Sequence, residues 1–489
     1  MRHAEVKLTG QRIPISSQGQ FHRELGLFDA SAIVAGSMIG SGIFIVSADV
    51  ARTVGSPGWF LFVWVLSAIV TILGALSYGE LAAMMPRAGG QYIYLREAYS
   101  PLLGFLYGWT LFLVIQTGTI AAVAVAFAKF LGVLVPWVSA QHTLFQIGGV
   151  SFSTQRIVAI GVIALLTWSN SRGLREGKTI QNIFTSAKII VLAILILLGL
   201  VFARETTAVN ANFTTPQNDS SLSLGFLMLV GGAMVGPLFS SDAWNNVTFT
   251  SGEVKNPQRT LPLSLLGGTA VVMMLYLLTN IAYLCLLPLV GLETGTTVVE
   301  RGIQYAAEDR VATAAASIIF GPSAIAIMAV AIMVSTFGCL NGLILAGPRL
   351  YYAMAQDRLF FARTGYLNET GVPAGGLWLQ MFWASLLTLS GTYGDLLDYV
   401  IFSALLFYML TVIGLFILRH SRPDAERPYR VYGYPWVPGL YVLLASIVMV
   451  NLLFVKPAYT WPGLLLVLTG VPVYFLWQHR MKEESETKK

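Results

Sequence analysis

Residues 53–79, 98–128, 260–292, 311–348 and 457–479 contain no Asp, Glu, Lys or Arg. Each of these stretches exceeds the roughly 20 residues that a helix needs to cross a bilayer. In hydrocarbon a chain must bond every backbone N–H and C=O within the protein, so such segments fold as helices. Charged residues make up only 11% of the 489, against about 25% in a soluble domain, which is too few to cover a water-facing globule. One giant soluble core is the competing reading, and the recurrence of long spans along the chain argues against it.

The same hydropathy rule gives about 12 spans, near 27–51, 58–84, 99–130, 155–170, 180–203, 222–250, 261–290, 312–345, 374–391, 396–419, 434–455 and 460–478. Turn residues separate them, among them Gly55-Ser56-Pro57-Gly58, Gly148-Gly149 and Gly321-Pro322. No linker is long enough to separate a second domain. The expectation is a single membrane domain over 25–479 with short tails, 1–24 and 480–489. Of 30 basic residues, 22 lie in the two tails and the even-to-odd loops, for example Arg87, Arg172, Lys255, Arg358, Arg422 and Lys482. The positive-inside rule then puts both termini in the cytoplasm, and an even span count agrees. The net charge of +6 belongs to those loops and gives no reason to expect nucleic-acid binding. The N-terminus lacks the basic, apolar, small-residue order of a cleaved signal peptide. Cys285 and Cys339 lie within apolar spans and read as core residues, not as a disulfide or metal pair. No cofactor, metal or catalytic residue is expected.

Two spans carry anomalies. Span 1 contains Gly36-Ser37-Met38-Ile39-Gly40-Ser41-Gly42, and each glycine costs a helix about 1 kcal/mol relative to Ala. Span 6 contains Gly231-Gly232, Gly236-Pro237, Ser240-Ser241-Asp242 and Asn245-Asn246; its proline removes a backbone donor. Small residues that merely allow close helix packing are the plain alternative. The anomalies sit five spans apart, however, and an odd offset makes the two helices antiparallel. Interrupted helices at matching positions of two halves point to the binding site of an inverted-repeat transporter. Unwinding frees backbone groups where there is no water, so they must face a ligand or a cavity. Half-helix N-termini favour a carboxylate, while freed carbonyls and C-terminal ends favour an ammonium. A zwitterionic amino acid offers both.

These residues resemble the amino acid–polyamine–organocation superfamily and, within it, the L-type amino acid transporters. The segment GSMIGSGIF at 36–44 is similar to the family's helix-1 motif, and residues 78–92 and Gly108-Trp109 resemble its consensus for span 2 and the following loop. Gly252-Glu253-Val254-Lys255-Asn256-Pro257, Thr279-Asn280-Ile281-Ala282-Tyr283 and Arg427-Pro428-Tyr429 continue the match. The resemblance implies an all-α polytopic fold: a five-plus-five inverted repeat with two extra helices, spans 1 and 6 being broken. It implies that Ser41 and Gly42 donate backbone N–H groups to a substrate carboxylate. It further implies that the carbonyls of Met38 and Phe239 receive the α-ammonium and that the Phe239 ring forms a lid. The surrounding site would include Ile39, Gly40, Ser240, Trp244, Asn245 and Tyr283.

Three features depart from the L-type pattern or qualify it. Residues 131–153 hold no cysteine, where eukaryotic L-type chains bond a glycoprotein partner, so no disulfide-linked heavy chain is expected; the chain reads as a monomeric carrier of a bacterial inner membrane. Asp242 stands where the pattern usually has glycine, either reading extra positive charge on the substrate or capping the broken helix. Lys188, inside span 5, matches a lysine that in some sodium-independent members replaces the cation between helices 1 and 8, with Ser335 and Thr336 as neighbours. An intramembrane Lys is a functional candidate, and snorkelling to the cytoplasm is the alternative. These features together lead to sodium-independent carriage of neutral amino acids, by exchange or proton-linked uptake. Cationic amino acid or polyamine transport is the runner-up. A membrane enzyme would need converging nucleophile, metal or acid–base residues, and a channel rings of charge or filter carbonyls; neither is apparent.

Overall fold

Proline or a hydroxyl cap sets the start of many of the spans. Pro57, Pro101 and Pro257 each stand in the first turn of a helix, where a missing N–H costs nothing. Ser100, Ser153 and Ser223 accept the backbone N–H of Leu103, Arg156 and Phe226, satisfying donors that have no partner within the helix. The computed structural model describes residues 6–8, 11–13, 21–147, 150–202, 207–214, 223–390 and 393–486. The Gly148-Gly149 turn and the basic residues Arg2, Arg204, Lys488 and Lys489 lie outside the described residues.

Nine helices among the described residues are long and apolar enough to cross a membrane, and Leu224–Ser240 and Ala374–Leu389 are shorter apolar helices. With Thr154–Ser171 they correspond to the spans read from the sequence. Span 1 comprises Leu27–Met38, Gly42–Ile45 and Ser47–Val54; span 2 is Pro57–Met84, span 3 Pro101–Leu134, span 4 Thr154–Ser171 and span 5 Leu174–Phe202. Span 6 is Leu224–Ser240, span 7 Pro257–Leu286, span 8 Ala324–Gln356, span 9 Ala374–Ser390, span 10 Tyr393–Ser421, span 11 Trp436–Val455 and span 12 Pro457–Glu486. A short helix, Gln91–Ala98, fills the loop between spans 2 and 3, and an antiparallel hairpin, Thr143–Ile147 with Val150–Ser153, lies between spans 3 and 4.

Several boundaries differ from the hydropathy reading, and spans 8 and 12 run on to Gln356 and Glu486, past the expected 345 and 478. Span 8 begins at Ala324, because Val311–Phe320 is a separate helix that ends at Gly321, in the left-handed region at φ 60°, with Pro322 next. Span 6 stops being α-helical at Ser240; Ala243 then turns left-handed at φ 65° and Trp244–Thr248 continues as a 3-10 helix. Span 5 starts at Leu174, six residues before the expected 180. Hydropathy registers apolar composition and is blind to these reversals.

Spans 1, 2, 3 and 4 each pack against the span five places later, 6, 7, 8 and 9 respectively, as two interlocked repeats with that offset would. Span 3 also contains a π-helical turn, Leu111–Ile115, of a kind frequent at functional sites. Outward faces of spans 5 and 11 are apolar and exposed: Ile190, Ile194 and Leu197 on one, Leu443, Ile447, Val450 and Phe454 on the other. Such stripes belong against lipid, since water would make them association sites.

Candidate functional site

The span 1 helix ends at Met38, and Ile39 leaves the helical region at ψ 89°. The carbonyls freed around this break are answered by side chains from three other spans. From span 5, the Lys188 ammonium donates to the carbonyls of Gly36 at 2.8 Å and Ile39 at 2.7 Å. Two groups come from span 8: the Cys339 thiol donates to Ser37 at 3.0 Å, and the Ser335 hydroxyl lies 3.2 Å from the Ile39 carbonyl and 2.9 Å from that of Gly40. From span 7, the Tyr276 hydroxyl lies 3.1 Å from the Met38 carbonyl and 2.9 Å from that of Ser240, so one phenol bridges both broken helices. Buried carbonyls need such partners. Lys188 is only 1% exposed and lies in the middle of span 5, not near its start, so the snorkelling alternative does not describe it. Thr336 does not reach the break: its hydroxyl bonds back to Ile332 and Met333 in its own helix.

The second half of span 1 starts at Gly42, and it starts against span 6. A Cβ on Gly42 would stand 2.2 Å from the Ser240 hydroxyl oxygen and 3.0 Å from the Ser240 Cα. The two breaks therefore touch through a glycine. Beyond Ser240, the Asp242 N–H bonds the Phe239 carbonyl at 3.0 Å; Ser41 and Phe239 are both buried beside the breaks. Tyr283 lies further along, its hydroxyl 3.3 Å from the Ile43 carbonyl, on the second half of span 1 and away from the break itself.

Asp242 bonds to span 10. Its carboxylate accepts the Tyr408 hydroxyl at 2.6 Å, and that hydroxyl is also 3.1 Å from the Asn245 side-chain oxygen. The Asn245 amide donates to Gln91 at 2.8 Å, and Gln91 donates to Thr411 of span 10 at 3.0 Å. Trp244 packs edge-on against Tyr78 at 4.7 Å and tilted against Tyr408 at 5.4 Å. Among the described residues no Lys or Arg bonds Asp242, although it is 7% exposed. Two cavities of about 20 and 10 Å3 border it, each near the size that one water needs. Neither is large enough to hold an amino acid.

The family model for amino acid permeases matches residues 25–474. The chain belongs to the amino acid permease family. The permease is 30% identical over 475 residues to the large neutral amino acids transporter small subunit 2 of Mus musculus, covering 94% of this chain and 82% of that one. It is 30% identical over 463 residues to the b(0,+)-type amino acid transporter 1 of Homo sapiens, covering 94% and 88%. The Asc-type amino acid transporter 1 of Mus musculus is 30% identical over 478 residues, covering 94% and 82%. The permease is thus an amino acid transporter and a multi-pass membrane protein, not an enzyme, and its substrate is a small molecule.

Sequence reasoning did not single out Tyr276 or Tyr408 in the permease; it met Gln91 only within the loop motif after span 2 and read Cys339 as a core residue. Tyr276, Asn280 and Tyr283 share one face of span 7 at helical spacing, and Asn280 holds Ser47 of span 1 at 2.7 Å. That polar stripe inside an uncharged run was the signal available for Tyr276. Tyr408 had none, because a lone tyrosine in a span reads equally well as packing.

Proposed function

We propose that the permease carries neutral L-amino acids by sodium-independent alternating access, as an exchanger or with a proton. The observation that carries this reading is the meeting of the two broken helices at Gly42 and Ser240, with the Lys188 ammonium held against span 1 carbonyls. A positive charge already fixed beside spans 1 and 8 leaves no electrostatic need for sodium there. The substrate carboxylate is received by the N–H groups of Ser41 and Gly42 at the start of a half-helix, where the dipole is favourable. The ammonium is received by the carbonyls of Met38 and Phe239, displacing the Tyr276 hydroxyl from Met38, and the Phe239 ring closes over it. Ile39, Gly40, Trp244 and Asn245 shape the remainder. The relatives named for large neutral amino acids support the substrate class.

A second reading, cationic amino acids or polyamines, is favoured by one observation. Asp242 is a buried carboxylate whose described partners are the Tyr408 hydroxyl and the Ala243 N–H, both uncharged, and a carboxylate in low dielectric favours a cation or a proton. The deciding experiment is uptake of radiolabelled neutral and cationic amino acids and putrescine by purified protein in liposomes. It is run with sodium or choline outside, with and without internal substrate and a pH gradient. Saturable neutral amino acid uptake that persists in choline is expected; collapse in choline would overturn sodium independence. Strong competition by ornithine, lysine or putrescine, lost in Asp242→Asn, would move the assignment to cations. An unchanged ranking in that variant would leave Asp242 as a helix cap, a role Asn fills about as well.

The same reading places both termini in the cytoplasm and the permease in a bacterial inner membrane, as one membrane domain over 25–479. It acts as a monomer without a disulfide-linked heavy chain, in keeping with the absence of cysteine from residues 131–153.

A further inference from the structure

At the end of span 3 opposite the N-terminal face of the molecule, a pocket of about 640 Å3 opens between the Thr143–Ile147/Val150–Ser153 hairpin, the start of span 4 and the loop that precedes Val311. Lys129, Arg156 and Arg310 line it together with one carboxylate, Glu308, which leaves two positive charges in excess. The cations are held in place. Arg310 donates to Glu308 at 2.6 Å and lies over the Phe130 ring at 5.6 Å, while its Nε is buried with no bond in the protein. Arg156 donates to the Ser151 carbonyl at 2.7 Å and to the Ser151 hydroxyl at 2.9 Å. The Lys129 ammonium is 3.7 Å from Glu308. Glu308 itself is fixed in the left-handed region at φ 52°, as is Asp309 at φ 58°, which pairs with Arg52 at 2.6 Å. Non-glycine residues persist in such conformations only where their surroundings enforce them. The pocket therefore presents an excess of fixed positive charge.

Apolar side chains lie on the neighbouring surface. Leu134, Val135, Trp137, Leu144, Phe145 and Ile157 are all exposed around the ends of spans 3 and 4, where a membrane protein meets the headgroup region and aromatic side chains gather. Cationic donors inside and an apolar, aromatic fringe outside match one kind of molecule. We infer that this pocket binds the phosphate of a membrane phospholipid, its acyl chains lying along the fringe. Arg310 and Arg156 supply guanidinium donors suited to phosphate oxygens, and Lys129 adds charge. The inference depends on the chain spanning a membrane and not on which amino acid it carries.

Native mass spectrometry of the delipidated full chain, with phosphatidylglycerol added back, tests it. The wild type is expected to retain a bound phospholipid. Arg156→Gln and Arg310→Gln are expected to weaken retention by about tenfold or more, as loss of a charge-assisted hydrogen bond does. Glu308→Gln removes the competing carboxylate and is expected to tighten retention, an effect that general damage to the fold would not give. Diacylglycerol, which has similar chains and no phosphate, is expected not to be retained. Equal retention by wild type and both arginine variants, or equal retention of diacylglycerol, would overturn the site. Retention of inorganic phosphate without retention of phosphatidylglycerol would overturn the lipid assignment and leave a site for a free anion.

Discussion

Gly42 and Gly40 sit two residues apart in the break of span 1, yet they have different freedom. A Cβ at Gly42 would meet the Ser240 side chain and Cα, whereas one at Gly40 would come closest to the Cys339 sulfur, at 3.2 Å. The difference predicts opposite tolerance. Gly42→Val forces spans 1 and 6 apart, so uptake should fall more than about tenfold, with about 1–3 kcal/mol lost from stability by overpacking. Gly40→Ala should retain most activity. Uptake normalised to reconstituted protein, with thermal unfolding alongside, checks both; wild-type transport by Gly42→Val would remove the contact between the breaks from the mechanism. From sequence alone, a side chain at Gly42 is expected to crowd the N–H groups around a carboxylate. The structure gives a nearer obstacle, a neighbouring helix.

At the scale of elements, span 5 acts on span 1 through Lys188. Gln181 and Thr185, on the same face, both reach the Ala32 carbonyl at 3.2 Å, so three side chains along span 5 hold one face of span 1. Lys188 holds the segment that lies beside the break. Lys188→Ala leaves the Gly36 and Ile39 carbonyls without their charged donor, and each hydrogen bond to a charged group is worth roughly 1.5–3 kcal/mol. Transport is expected to slow by at least about tenfold, since the position of the half-helix is no longer fixed. Lys188→Met, which keeps most of the stem and removes the charge, is expected to be as slow. Full activity in the methionine variant, measured by initial uptake rate, would show that packing alone suffices.

Across the whole molecule, the N-terminal approach, the loop after span 6 and span 8 are joined by one buried ion pair. Arg349 donates to both Glu253 oxygens, at 3.3 and 3.0 Å, with the side chains 1% and 2% exposed. The Glu253 carbonyl accepts the N–H groups of Glu24 and Leu25, both at 2.9 Å, and the Lys255 N–H returns to Leu25 at 2.8 Å. Arg349→Met leaves a carboxylate buried and unpaired, and the expected loss is about 3–5 kcal/mol, seen as a lower unfolding temperature. The double variant Glu253→Gln, Arg349→Met should recover much of that loss. A double variant no better than the single would mean that the pair is not the interaction that matters.

The sequence by itself determined the spans, their approximate number and the two that break, because these follow from local properties: uncharged runs, and glycine and proline where a helix cannot continue. It also singled out Lys188 and Asp242, since an ionisable residue in an apolar run is conspicuous wherever it points. Only the tertiary structure decided what those residues meet. Lys188 turns inward to Gly36 and Ile39, Asp242 turns to Tyr408, and Tyr276 bridges two helices that lie far apart in sequence. A side chain's partner depends on helix rotation and packing between distant spans, and composition carries no record of either.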